Sequence, residues 1–136
     1  MNTYNRIFYF SITIFVFLIT GQCSSENSAD LVREGEMQSQ KGNYDKSFDA
    51  FFKATELDPK NANAFYGLGG IYNYRNEYEK AVQAFNSVIK LDPTHFNARY
   101  SLGFTYEKLR KPKLAEIEYA RYNSLKKRFE SMLTKE

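Results

Sequence analysis

The sequence predicts an all-α protein: about three stacked helix-turn-helix units, closed by an extended C-terminal helix. Three observations carry that prediction. The tripeptide Leu57-Asp58-Pro59 recurs further along the chain as Leu91-Asp92-Pro93. The same offset relates Tyr44 to Tyr78, Ala50 to Ala84, Phe51 to Phe85, Ala64 to Ala98, Tyr66 to Tyr100, Leu68 to Leu102, Gly69 to Gly103 and Tyr72 to Tyr106. A fixed period of this size, about 34 residues, marks stacked supersecondary units. Within each period the apolar residues keep helical spacing, as in Phe65, Leu68 and Tyr72 or Ala81, Phe85 and Val88.

Taken in order, residues 1–22 are expected to be an export signal that stands outside the fold. Ile7 to Ile19 form an apolar run, behind Arg6 and ahead of the polar stretch Ser24-Ser25-Glu26-Asn27-Ser28. This is the layout of a targeting segment, and the run is short for a spanning helix, which needs about 20 apolar residues. Residues 23–27 read as a short polar tether. Cys23 follows the apolar run where bacterial lipoprotein signal peptides place their lipid-modified cysteine, and the segment resembles a lipobox: Gly21 fits, Thr20 is tolerated and Gln22 departs from the pattern. The resemblance implies lipidation at Cys23 and a bacterial cell-envelope location, on the inner or the outer membrane. An uncleaved anchor and plain secretion stay open as alternatives. Cys23 has no second cysteine to pair with, so no intramolecular disulfide framework is available.

The folded region is expected to span 28–136, with units near 28–61, 62–95 and 96–129. Helices are expected near 29–41, 45–57, 62–75, 78–91, 96–110 and 113–133. Asn43, beside Gly42, and Asn76-Glu77 mark the turns within units. Pro59 and Pro93 end one unit and open the next, because proline fits a helix start but not its interior. Glycine costs a helix roughly 1 kcal/mol against alanine, so Gly35, Gly69 and Gly103 are expected where two helices press together. The last helix runs on through Leu125, Phe129, Met132 and Leu133. It is expected to close the stack with one apolar face and one polar face. The triplet Lys126-Lys127-Arg128 reads as its solvated face, with contact to anionic lipid as the alternative.

The repeat resembles the tetratricopeptide (TPR) family, whose signature is W-x₂-L-G-x₂-Y, then A-x₃-F, then P. The middle unit carries Phe65-x₂-Leu68-Gly69-x₂-Tyr72, then Ala81-x₃-Phe85, then Pro93. The third carries Leu102-Gly103-x₂-Tyr106 and Ala115-x₃-Tyr119, with Arg99 in place of the leading aromatic and no closing proline. The first is degraded, keeping Leu31, Gly35, Ser47, Phe51 and Pro59, with Gln38 where tyrosine is expected. The resemblance implies a right-handed superhelix whose concave face is lined by the first helix of each unit.

The family's groove positions fall on Asn63, Tyr66, Gly70, Asn73 and Tyr74 in the middle unit. In the third they fall on Asn97, Tyr100, Phe104, Glu107 and Lys108, and in the first on Ala29, Val32, Glu36, Ser39 and Gln40. The partner-binding residues expected from this are Asn63, Tyr66, Gly70, Asn73, Tyr74, Asn97, Tyr100 and Phe104. Tyr66, Gly70 and Tyr74 share one helical face at i, i+4 and i+8, which leaves a notch between two tyrosines. That Tyr66 and Tyr100 merely pack between helices is the other reading. One branch of the family clamps a partner's C-terminal carboxylate. Its positions would fall on Val32, Glu36, Gly67, Asn97 and Ser101, none of them cationic, so such a clamp is not expected.

Composition and motifs narrow the function further. Formal net charge is +3, of which Arg6 supplies one before the tether; this is not the strongly basic balance of a nucleic-acid binder. The single histidine, His95, sits in an inter-unit turn at the place of Asn61 and reads as a turn or capping residue. No His or Cys partners it in a zinc site. Gly67 to Gly70 lie mid-helix, so their Gly-x-Gly-Gly is not a nucleotide loop. No carboxylates pair in an obvious way. No catalytic residue, metal, cofactor or small-molecule substrate is therefore expected. The expected function is a membrane-anchored adaptor or assembly factor that binds a segment or helix of another protein. The alternative is a binder of an envelope polymer such as cell-wall glycan.

Overall fold

The computed structural model describes residues 27–134. The expected export signal, Cys23 and the tether up to residue 26 lie outside the described residues. Among the described residues there are six α-helices and no strand: α1 (Ser28–Gln40), α2 (Tyr44–Leu57), α3 (Ala62–Tyr74), α4 (Tyr78–Leu91), α5 (Phe96–Lys108) and α6 (Pro112–Leu133). No helix among them is long and apolar enough to cross a membrane. Consecutive helices pack in antiparallel pairs, α1 on α2, α3 on α4 and α5 on α6, and the first helices of adjacent units touch one another directly.

The repeat period is written into the backbone of the turns. In each unit one residue takes a left-handed conformation: Gly42 (φ 78), Asn76 (φ 60) and Arg110 (φ 57). The next amide then donates back across the helix end, Asn43 N to Gln38 O (2.9 Å), Glu77 N to Tyr72 O (2.8 Å) and Lys111 N to Tyr106 O (2.9 Å). Glycine takes this conformation freely and asparagine tolerates it, whereas arginine is strained there. This turn ends α5 at Lys108, short of the expected 110, and Pro112 opens α6 in the first turn.

Between units the chain turns on an aspartate and restarts on a cap. Asp58 accepts from Lys60 N (2.9 Å) and Asp92 from Thr94 N (2.9 Å). Asn61 then caps α3 by accepting from Ala64 N (3.2 Å), and His95 caps α5 through Nδ1, accepting from Ala98 N (3.0 Å). The capping role expected of His95 is what the structure shows. Asn61 also donates to Ser28 Oγ (2.7 Å), which donates to the Ala54 carbonyl (2.9 Å), so one cap ties units one and two together.

The core runs along the stack between the paired helices. Phe51, Phe85 and Leu102 are almost fully buried, packed among alanines such as Ala54, Ala64 and Ala81 at 0% exposure. In each unit a glycine of the first helix admits an aromatic ring of the second. A Cβ on Gly35 would lie 2.8 Å from Phe51, one on Gly69 2.5 Å from Phe85, and one on Gly103 2.7 Å from Tyr119. These are the close approaches expected at those positions.

Two features depart from expectation. The first is a buried ion pair that no expectation covered: Glu118, buried on α6, meets Arg99 of α5, with Arg99 Nη1 donating to Glu118 Oε2 at 3.0 Å. Their side chains are 15% and 8% exposed for Arg99 and Glu118 in turn. One period earlier the same two positions hold Phe65 and Ala84, so an ion pair replaces an aromatic and a small residue at the end of the stack. The second is the C-terminal half of α6. It extends past α5, so Phe129, Met132 and Leu133 are 45%, 62% and 60% exposed. The apolar face expected to close the stack is only partly covered. Lys126, Lys127 and Arg128 are exposed, as a solvated face requires.

Candidate functional site

The first helices of the units stand side by side and leave a groove of about 480 Å³ between α1, α3 and the edge of α5. Asn63, Tyr66, Gly70, Asn73 and Tyr74 of α3 all line it, with Glu36, Ser39 and Gln40 of α1, Tyr44 of α2 and Ser101 of α5. The structure therefore gathers in one place the five expected residues of α3. The three of α5 lie elsewhere. Asn97 lines a second groove, of about 400 Å³, with Phe96, Leu125, Arg128, Phe129 and Met132. Tyr100 is 52% exposed and packs on Tyr119 and Tyr122 of α6, with ring centroids 5.5 and 5.3 Å away. Phe104 is 38% exposed beneath the Lys108 ammonium, which sits 4.9 Å from its ring centroid. Tyr119 donates to Glu107 (3.0 Å); burial first, then that bond, pushes its phenol up to about 12.

The five gathered residues differ in how firmly they are held. Tyr66 lies against Phe85 (5.8 Å between centroids) and the cap His95 (4.9 Å), so it packs between helices and lines the groove at once. Asn73 Nδ2 donates to Thr105 Oγ1 (2.9 Å), and that buried hydroxyl donates to the Ser101 carbonyl (2.7 Å). The Asn73 amide thus braces α3 against α5. Tyr74 stacks on Tyr44 at 3.8 Å between centroids and is still 59% exposed. Among the described residues the side chains of Asn63 and Gln40 make no hydrogen bond, and the Glu36 carboxylate has neither hydrogen bond nor ion pair. All three sit on the groove wall.

Three glycines on one helix separate structure from site. A Cβ on Gly67 would lie 2.4 Å from the Phe51 ring, and one on Gly69 2.5 Å from the Phe85 ring. Gly70 faces nothing within 4 Å and is exposed on the groove floor. Nothing in the repeat pattern announces the role of Gly67, because its contact reaches back to the preceding unit. The matched spacing of Phe51 and Phe85 against Gly35 and Gly69 is internal to a unit and is visible in the sequence.

A family model described as TPR repeat matches residues 35–73 and 69–109. Among solved structures, the chain is similar to one described as "Crystal structure of MamA", with TM-score 0.73 and 22% identity over 77% of this chain and 61% of that one. This chain thus spans about three fifths of that neighbour's length. It is also similar to the second and first TPR domains of Spaghetti (RPAP3), each bound to the HSP90 peptide SRMEEVD. The second gives TM-score 0.71 and 19% identity over 74% of this chain and 93% of that one. The first gives TM-score 0.71 and 22% identity over 75% and 81%. At these identities the likeness is one of fold. No curated protein shows a significant sequence match to the chain.

Proposed function

Because the chain belongs to the tetratricopeptide repeat family, we propose that it is a protein-binding module that takes a segment of another protein into the groove between α1 and α3. The observation that carries this is Gly70. A glycine mid-helix is costly, and its neighbours Gly67 and Gly69 are each required by a buried ring. Gly70 answers to no packing partner and instead leaves a notch on the groove floor between Tyr66 and Tyr74. Exposed tyrosine faces give contact area at low entropy cost, and the free amides of Asn63 and Gln40 suit a peptide backbone. The RPAP3 domains hold a peptide, which supports the same use of this fold.

The groove is not suited to an acidic peptide tail. The positions that would clamp a carboxylate carry Glu36, Gly67 and Ser101 on the groove wall, and none of them is cationic. We further propose that Cys23 carries lipid and holds the module at an envelope membrane as an adaptor or assembly factor. Its place behind the apolar run supports this, and fatty-acid labelling that marks wild type and Cys23→Ala equally would refute it. For the groove, a photo-crosslinking residue at Tyr74 should capture a protein in intact cells. The same residue at Phe52, in a separate depression beside Phe65 and Lys80, should not. Equal capture at both places refutes the groove; capture of polysaccharide at Tyr74 transfers the site to an envelope glycan.

A further inference from the structure

The groove and the helix beyond it carry a charge order that neither the fold nor the repeat signature dictates. Glu36, Gly70 and Phe104 stand one repeat period apart, so they occupy one register position on α1, α3 and α5. Those helices touch in sequence, and a chain laid across them meets a carboxylate, then a notch, then an aromatic ring. Glu36 is the one charged residue among those lining the groove. Beyond the groove, on α5, Lys108 covers Phe104, so in register a carboxylate stands one unit before Gly70 and an ammonium-covered ring one unit after it.

We infer that the groove selects a neutral-to-basic extended segment in a fixed direction, with a Lys or Arg of the partner over Glu36 and an apolar side chain in the Gly70 notch. This inference rests on the groove reading above and names its partner chemistry. Direction follows from the charges. A partner cation over α1 meets Glu36, whereas the reversed segment brings it to Lys108 and leaves Glu36 unpaired, an arrangement that like charge and lost pairing both disfavour. Spacing follows from the helices. Adjacent helix axes lie roughly 8–10 Å apart, and a polyproline-like segment presents side chains on one face about every three residues, roughly 9 Å apart. The partner's cation therefore falls about three residues from the side chain that fills the notch.

The test is selection of a displayed random dodecapeptide library on the full-length protein and three variants. Wild type should enrich Lys or Arg about three residues from a bulky apolar residue. Glu36→Lys should enrich Asp or Glu at that same offset while keeping the apolar residue. Glu36→Gln should lose the charge preference, and the wild-type-selected peptide should bind it about two- to fivefold more weakly, as for an exposed ion pair. If wild type and Glu36→Lys select the same charges, the polarity is overturned, even if the apolar residue stays enriched. Gly70→Leu separates the polarity from the groove itself. A peptide set that is unchanged by Gly70→Leu, or no enrichment on any variant, overturns the groove and the polarity with it.

Discussion

Replacing Glu118 by Gln removes the charge that balances Arg99 while keeping nearly the same shape. Arg99 Nη1 lies 3.0 Å from Glu118 Oε2, the two side chains are 15% and 8% exposed, and Arg99 Nε is buried with no hydrogen-bond partner. Arg121 also reaches Glu118, but its side chain is 57% exposed and returns to water at little cost. Breaking a buried pair by removing one partner costs about 3–5 kcal/mol; with Arg99 still partly in reach of water, about 2–4 kcal/mol is expected for Glu118→Gln. The double change Arg99→Phe with Glu118→Ala copies the middle unit's Phe65 and Ala84 and removes both charges. It should restore wild-type stability or exceed it by about 1 kcal/mol, since apolar replacement of a buried pair is often neutral or better. Urea unfolding followed by far-ultraviolet circular dichroism gives both numbers. A Glu118→Gln protein as stable as wild type, or a double variant less stable than Glu118→Gln alone, would refute the claim that the pair stands in for apolar packing.

The glycines of α3 and the third intra-unit turn give two further outcomes. Gly67→Ala and Gly69→Ala drive a methyl into Phe51 and Phe85 and should each cost about 1–3 kcal/mol, read from the same unfolding curves; a gain in stability from either would show that the rings do not occupy these places. Arg110→Gly relieves a left-handed arginine and should stabilise by about 1 kcal/mol, whereas Arg110→Ala should not, a contrast that thermal melts of the two variants resolve.

Much of the fold is legible because its punctuation repeats. Helix ends lie close to expectation where Gly42, Asn76, Pro59, Pro93 and Pro112 mark them. The end of α5 departs because Arg110 takes the left-handed turn without the residue type that announces one. The glycine–ring contacts inside units follow from the cost of glycine in a helix, and the cap at His95 from its alignment with Asn61. What escapes are relations between elements. Arg99 and Glu118 are unremarkable alone and far apart in the chain. Aligning them at the period, where Phe65 and Ala84 both turn charged, is the signal that pairs them. Gly67 escapes because Phe51 reaches it from another unit. The expected groove residues come together only on α3. The family positions assume a following unit, and among the described residues α5 has none, so Tyr100 and Phe104 have no further first helix to face, while the long α6 draws Asn97 into a second groove.

The central claim is that Gly70 keeps a binding notch open, and the most direct measurement pairs stability with binding in Gly70→Leu. With nothing within 4 Å of the position, leucine meets no obstacle and improves helix propensity by roughly 0.5–1 kcal/mol. The melting temperature should hold or rise, while binding of the segment captured at Tyr74 should fall at least about tenfold, the equivalent of about 1.4 kcal/mol. A variant that loses stability would make Gly70 a packing residue. One that is stable and binds as wild type does would place the partner on another face.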